Sequence, residues 1–388
     1  MNKTNVDNSR IDVADVLRGF AVMGIILLHS IEHFNFYSFP DTAGQSQWLN
    51  FTDRAVWDGL FFTFGGKGYA IFAMLFGFSF FIMNDHQQRR GTDFRLRFCW
   101  RLVLLFLFGN INAMFFTGEV LVLYSLVGFI LPLTCRLSDR WLIVLASILM
   151  MQPVALYCIV RAVCDSTFSF AAIESAPLWA ATYNAQTSGT FLEMCRVNLW
   201  EGQLASLAWA WEYGRVFQTA SLFLIGHLIG RRRLFLRENL HVWGRVLACA
   251  MITFFPLYGI DNMLPDFISN KELLQPLQLL VSSLHKFAFT LILVSGIIHI
   301  YYTFGLNSRL MIFAPYGRMS LTNYVTQSVI GSMLFYHWGF GLYRYLSISA
   351  SVCVGLCLFL LQMAFCHWWF RNHKRGPLEA LWRKGTWL

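Results

Sequence analysis

The chain has 388 residues, of which 56% are hydrophobic and 13% charged, with a formal net charge of +9. Soluble domains carry about 25% charge, and too few polar side chains remain here to cover the surface of a soluble protein this large. That composition excludes a soluble all-helical protein, and the positive balance reads as the loop bias of a membrane protein and not as a nucleic-acid footprint.

Apolar runs predict ten membrane helices, at 15–34, 59–83, 99–116, 119–134, 141–163, 204–229, 245–262, 280–302, 310–336 and 345–370. Lys and Arg gather in the connectors 89–101, 135–140, 230–245, 303–309 and 371–388. With an even number of spans, this bias predicts an all-α polytopic transmembrane bundle with both termini in the cytoplasm. The 164–203 stretch contains Trp179 and Trp200 and is expected to include an interfacial amphipathic helix. Nine cysteines are scattered without a CxxC pair, which predicts buried free thiols and no metal site.

The first helix runs Asp15-Val-Leu-Arg18-Gly-Phe-Ala-Val-Met-Gly24-Ile-Ile-Leu-Leu-His29-Ser-Ile-Glu32-His33. Arg18 and His29 are eleven residues apart; at ~100° per residue that is about 1100°, within about 20° of three turns. Both side chains therefore share one face, about 16 Å apart along the axis. Ionisable groups inside a membrane usually face a bundle interior or a cavity, so Asp15, Arg18, His29 and Glu32 are candidate site residues. Lipid-surface snorkelling of Arg18 and a structural hydrogen-bonding role for His29 are the alternatives.

The second helix opens Phe64-Gly-Gly-Lys67-Gly68, which lacks the GxxxxGK[ST] spacing of a phosphate-binding loop. Lys67 is a candidate for binding an anion or pairing with Glu32, with snorkelling to the interface as the alternative. The third helix ends with Asn110 and Asn112, and the fourth begins Thr117-Gly-Glu119. Glu119 fits a helix N-terminus electrostatically and is also placed to orient a histidine. The sixth helix ends Gly226-His227-Leu-Ile-Gly230-Arg231-Arg232-Arg233, where arginines meet lipid headgroups or an anionic co-substrate. The ninth begins Pro315-Tyr-Gly-Arg318-Met-Ser320-Leu-Thr-Asn323-Tyr324-Val-Thr-Gln327. Tyr316, Ser320, Asn323 and Gln327 fall on one face, which reads as cavity lining or as helix-packing glue. The chain closes on Trp368-Trp-Phe-Arg371 and Arg375-Gly-Pro-Leu-Glu379-Ala-Leu-Trp382-Arg383, a cationic and aromatic anchor.

The stretches around Asp15–Gly24, Phe64–Gly77 and Thr117–Gly128 resemble the N-terminal half of the YeiB-like bacterial membrane proteins. Pro315–Ser328, Phe335–Tyr343 and Arg375–Arg383 resemble that family's C-terminal domain. The resemblance covers nearly the whole chain and divides it into a helical region at 10–300 and family-specific helices with a basic tail at 301–388, within one membrane domain. The family is similar to a wider group of transmembrane acyltransferases, including polysaccharide O-acetyltransferases and lysosomal glucosaminide N-acetyltransferases. Arg18 and His29 resemble the arginine–histidine pair on the first helix of the O-acyltransferases. Many YeiB-like relatives carry Asn at the place of His29, and Asn110 and Glu119 stand where relatives show His and Asp.

The resemblance implies an inner-membrane protein that moves an acyl group, acetyl first of all, from a cytoplasmic coenzyme A thioester to a hydroxyl or amine of an envelope glycan or lipid. His29 would be the general base, oriented by Glu32 or Glu119, with Lys67 or Asn323 stabilising the oxyanion. Asp15, Arg18, Arg231, Arg232 and Arg318 would hold the donor, acyl-coenzyme A acting as co-substrate with no tightly bound cofactor. Expected partners are membrane lipids, the donor, the acceptor and a second copy of the chain, with no nucleic acid. A transporter or flippase of a small anionic or lipid-linked substrate is the alternative, with His29 as proton relay.

Overall fold

The structure is a computed structural model that describes residues 11–36, 44–165, 167–169, 175–303 and 307–387. Every regular element among them is helical. The first helix, α1 (Asp12–His29), is followed by α2 (Gln47–Phe64), α3 (Lys67–Gln88), α4 (Arg95–Ala113), α5 (Leu121–Val127) and α6 (Ile130–Thr134). Next come α7 (Asp139–Met150), α8 (Pro153–Cys164), α9 (Ala176–Ser188), α10 (Phe191–Val197), α11 (Gln203–Glu212) and α12 (Arg215–Arg231). The last third holds α13 (Leu240–Phe267), α14 (Lys271–Thr303), α15 (Asn307–Leu310), α16 (Phe313–Arg318), α17 (Ser320–Phe335), α18 (Ile348–Trp369) and α19 (Pro377–Thr386).

The expectation of ten spans is wrong. Among the described residues, five segments are long and apolar enough to cross a membrane: 47–88, 95–113, 237–267, 271–303 and 348–369. A sixth results if α7 and α8, bent by 52° at their junction, form one broken span. Several apolar runs expected to cross are instead short or interrupted. The 119–134 run splits into α5 and α6, and the 310–336 run breaks at Met319 between α16 and α17. At ~1.5 Å per residue, the 16 residues of α17 reach about 24 Å, short of the roughly 30 Å hydrocarbon core. Placing both termini in the cytoplasm depended on the even count of ten, and it falls with that count.

The expected helix at 59–83 is also divided. Gly66 adopts φ +75° and ends the run between α2 and α3, a left-handed conformation that costs a glycine little.

Helix α1 is an interior element. It packs against α2, α3, α14, α16, α17 and α18, and its residues Val13–Leu17, Gly19, Ala21, Val22 and Gly24–Ile26 are buried. This explains why a helix with Asp12, Asp15 and Arg18 is tolerated: its charges face protein instead of lipid. Close approach to α16 depends on glycine on both sides. A Cβ at Gly19 would sit 2.3 Å from the Phe313 carbonyl oxygen, and one at Gly317 would sit 2.0 Å from that of Asp15.

Candidate functional site

Helices from both ends of the chain meet around a cavity of about 200 Å³. Arg18 enters it from α1, Ser79 from α3, Arg101 from α4, Tyr124 from α5, Arg318 from the end of α16, and Ser320 and Tyr324 from α17. Glu379 and Trp382 of α19 complete the wall. Three guanidinium groups thus converge on one small space lined otherwise by hydroxyls, aromatic rings and aliphatic side chains.

Each arginine is positioned by its own set of contacts. Arg18 donates to Asp15 Oδ1 at 2.8 Å and to Ser79 Oγ at 3.0 Å, and Ser79 in turn donates to the Leu75 carbonyl at 2.7 Å. Arg101 lies 3.4 Å above the Trp382 ring and donates to Thr386 Oγ1 at 3.3 Å. The indole of Trp382 donates to the Arg101 carbonyl at 3.1 Å, so α19 is fastened to α4 from both partners. Arg318 sits 4.0 Å over Phe370 and donates to the Lys374 carbonyl at 3.3 Å. Stacking on an indole or phenyl face holds a guanidinium without consuming its hydrogen bonds.

Glu379 is the single carboxylate in the cavity wall. It accepts hydrogen bonds from the Leu321 and Thr322 amides at 2.8 and 3.0 Å and from Thr322 Oγ1 at 2.6 Å. It therefore caps α17 from a different helix. Burial pushes its carboxyl above the ordinary value, against the pull of those donors.

The inner end of the cavity is closed by Tyr124 and Tyr324, both buried. His29 lies behind this end and outside the lining. Its ring centroid is 6.3 Å from that of Tyr324 and 4.4 Å from that of Phe116. Its Nδ1 is buried without a hydrogen-bond partner among the described residues. Glu119 is in the same region: its carboxylate accepts from Asn112 Nδ2 and the Leu121 amide, and burial outweighs these bonds and pushes its pKa up to about 8. The Val120 amide next to it donates to Tyr324 Oη at 3.4 Å.

The remaining expected site residues are elsewhere. Asn323 donates to the Tyr316 carbonyl at 2.9 Å and lies 3.3 Å from Cys366 Sγ, joining α16, α17 and α18 outside the cavity lining. Arg231 and Arg232 both bind Asp139, and Arg231 also donates to the carbonyls of Cys135 and Leu137. That ties α12 to the start of α7 and leaves both out of the lining. Lys67 donates to the carbonyls of Phe61 and Phe62 at 3.2 and 2.7 Å, at the break between α2 and α3. Glu32 is near Arg215 instead of at the cavity. The structure thus brings Asp15, Arg18 and Arg318 together, with His29 and Glu119 behind the far wall.

Sequence reasoning did not assign Ser79, Arg101, Tyr124, Tyr324, Glu379 or Trp382 to a site. For the last two the signal was present: α19 is strongly amphipathic, and its inward face carries Glu379 and Trp382. Among the described residues no group of three or more His, Cys, Asp or Glu is arranged to hold a metal ion.

Residues 229–388 match the family described as "Protein of unknown function (DUF418)". Over nearly its full length the chain is similar to the uncharacterized protein YxaH of Bacillus subtilis (strain 168), at 27% identity over 98% of this chain and 95% of the relative. It is 26% identical to the uncharacterized protein YeiB of Escherichia coli (strain K12), over 96% of this chain and 95% of that one. The chain is thus similar to the YeiB- and DUF418-type proteins of bacteria. An uncharacterized 39.9 kDa protein encoded beside an amylase gene in Bacillus acidopullulyticus is 24% identical over 98% of this chain and 94% of its own length. No solved structure matches. The matched segment 229–388 supplies Arg318, Tyr324, Glu379 and Trp382, whereas Arg18, Ser79 and Arg101 come from the preceding part. The cavity is therefore assembled from both.

Proposed function

We propose that this protein is an inner-membrane acyltransferase. It takes an acyl-coenzyme A thioester, acetyl being the simplest case, at the arginine-lined cavity and passes the acyl group to a hydroxyl or amine of an envelope glycan or lipid. One observation carries this reading: three guanidinium groups surround a cavity whose inner wall, Tyr324, is 6.3 Å between ring centroids from His29. Arginines in a partly dry site suit phosphate oxygens, which they bind through charge-assisted hydrogen bonds. A volume of about 200 Å³ is below the roughly 300–1,000 Å³ of pockets that bury a drug-sized ligand. It accommodates the phosphates or the narrow arm of the donor, not the whole molecule. The arm would run along α1 toward His29, about 16 Å from Arg18.

In this reading the acceptor's oxygen or nitrogen attacks the thioester carbonyl carbon as its proton passes to the His29 imidazole. The tetrahedral intermediate collapses by breaking the carbon–sulfur bond, and the imidazolium returns the proton to the departing thiolate. Tyr324 and Phe116 must turn aside for the thioester to reach His29. Glu119, with its raised pKa, is placed behind them as a proton-bearing neighbour.

The test uses the full chain in proteoliposomes with acetyl-labelled coenzyme A and an envelope glycan and lipid extract. Label should enter an acceptor fraction with release of free coenzyme A thiol, and His29→Ala should abolish both while donor binding persists. Transfer by His29→Ala at the wild-type rate, or no transfer at all, would sink the proposal.

A transporter reading is favoured by a different observation. Both side-chain polar atoms of Gln327, on α17 one turn past Tyr324, are buried without partners among the described residues, as is His29 Nδ1. Polar groups thus continue beyond the closed end of the cavity. Substrate-dependent proton flux with no covalent product would select this reading.

A further inference from the structure

A second group of charges is gathered at the start of α3. Ser79 at the cavity is twelve residues along the same helix from Lys67, about 18 Å away. Lys67 is buried at 5% exposure. Arg215, at the start of α12, presses against the break between α2 and α3: a Cβ at Gly66 would meet its Nη2 at 3.1 Å. Its guanidinium also lies 5.0 Å from the Tyr69 ring and 5.4 Å from that of Trp209. Lys286, on α14, is within electrostatic reach of both Lys67 and Arg215.

Two carboxylates answer these three cations. Glu32 interacts with Arg215 through space and makes no hydrogen bond among the described residues. Asp261, within reach of Lys286, is engaged by His285 Nε2 at 3.0 Å. The Lys286 ammonium, half-buried, likewise has no hydrogen-bond partner among the described residues. Among the described residues the cationic side chains here outnumber the carboxylates by one, inside a bundle where uncompensated charge is costly.

The surroundings indicate where a compensating anion enters. Lys67 Nζ is 5.7 Å from the Phe62 ring and 5.3 Å from that of Phe289. Phe62 also packs edge-on against Phe254, Tyr258 and Phe289, at 6.2, 5.9 and 5.0 Å, making an aromatic wall across α2, α13 and α14. Phe62 is 43% exposed and belongs to the 47–88 segment, which is long and apolar enough to cross a membrane. The cation cluster is thus one aromatic layer from the apolar outer surface of that segment.

We propose that Lys67, Arg215 and Lys286 form a binding site for a phosphodiester, the single negative charge of which balances the cluster, and that the phosphodiester is the headgroup of an acidic lipid entering beside Phe62. Its acyl chains would lie along the aromatic wall. This site is separate from the arginine cavity and does not depend on acyl transfer.

The purified full chain is to be titrated with dioctanoyl phosphatidylglycerol, with dioctanoyl phosphatidylcholine, and with inorganic phosphate, reading affinity by intrinsic tryptophan fluorescence and thermal shift. Phosphatidylglycerol should bind and raise Tm, phosphatidylcholine should bind at least about tenfold more weakly, and Lys286→Gln should weaken phosphatidylglycerol by about tenfold or more. Lys286 makes no side-chain hydrogen bond among the described residues, so this variant removes the charge without breaking one, and its Tm without lipid checks that it is folded. Lys384→Gln, an exposed cation on α19, should change nothing. Phosphate binding that is lost in Lys286→Gln, without gain from lipid chains, would keep the anion site but overturn the lipid assignment. Equal binding of the two lipids, or equal losses in Lys286→Gln and Lys384→Gln, would overturn the site itself.

Discussion

Single residues decide what the cavity recognises, and the sequence exposed them unevenly. The phase match of Arg18 and His29 was legible because α1 is one regular helix and the geometry of a regular helix is fixed. Asn323 misled for the same reason in reverse. It does lie on a polar face, but its own side-chain amide is taken up by the Tyr316 carbonyl and Cys366 across a helix junction that no periodicity reports. Arg231 and Arg232 carry the right charge in the wrong place, because Asp139 captures both. Glu379 was legible only as part of an amphipathic stretch, since its role depends on α19 folding back onto the start of α17. Its proton affinity offers a prediction at this scale. Burial raises its pKa above the ordinary 4.5, so the folded state holds this proton more tightly than the unfolded chain. The corresponding stability is fully present below that ordinary value and is lost as pH rises through the raised one. Tm should therefore fall across that rise, and Glu379→Gln, which keeps the shape without the charge, should flatten the fall. An unchanged profile in the variant would show that another group sets the slope.

At the scale of elements, helix content was legible and helix continuity was not. Hydrophobic runs specify that a segment is apolar and helical, but a break needs only one residue outside the helical region. Gly66 at φ +75° divides 47–88, and Gln152 at φ +53° bends α7 from α8. Packing between elements depends on small residues in a way the sequence only hints at. Helices α3 and α12 cross where a Cβ at Gly226 would lie 1.8 Å from the Met74 carbonyl oxygen and one at Gly77 would lie 2.0 Å from that of Phe223. Both obstacles are backbone, so neither can rotate away. Gly226→Val should therefore destabilise the protein by about 1–3 kcal/mol or more through overpacking, seen as a lower Tm in detergent. The control is Gly259→Val, on α13, where a Cβ meets nothing within 4 Å. Equal Tm values for the two variants would contradict this account of the α3–α12 contact.

At the scale of the whole molecule, composition identified a membrane protein, while the number of spans was overestimated. The surplus apolar runs are interior. They include α1, which packs against six other helices, and the short α5 and α17, which contribute Leu121, Tyr124, Ser320, Leu321 and Tyr324 to the cavity wall. A protein that packs charged and short helices among longer apolar ones has room for a chamber between them. The central claim is that this chamber receives an anionic acyl donor through its arginines. Calorimetric titration of the purified protein with acetyl-coenzyme A tests it most directly, with Arg18→Gln alongside. A charge-assisted hydrogen bond contributes about 1.5–3 kcal/mol, so saturable binding to the wild type should weaken roughly 10- to 150-fold in the variant. Absence of binding to the wild type, or equal affinity in both proteins, would contradict the claim.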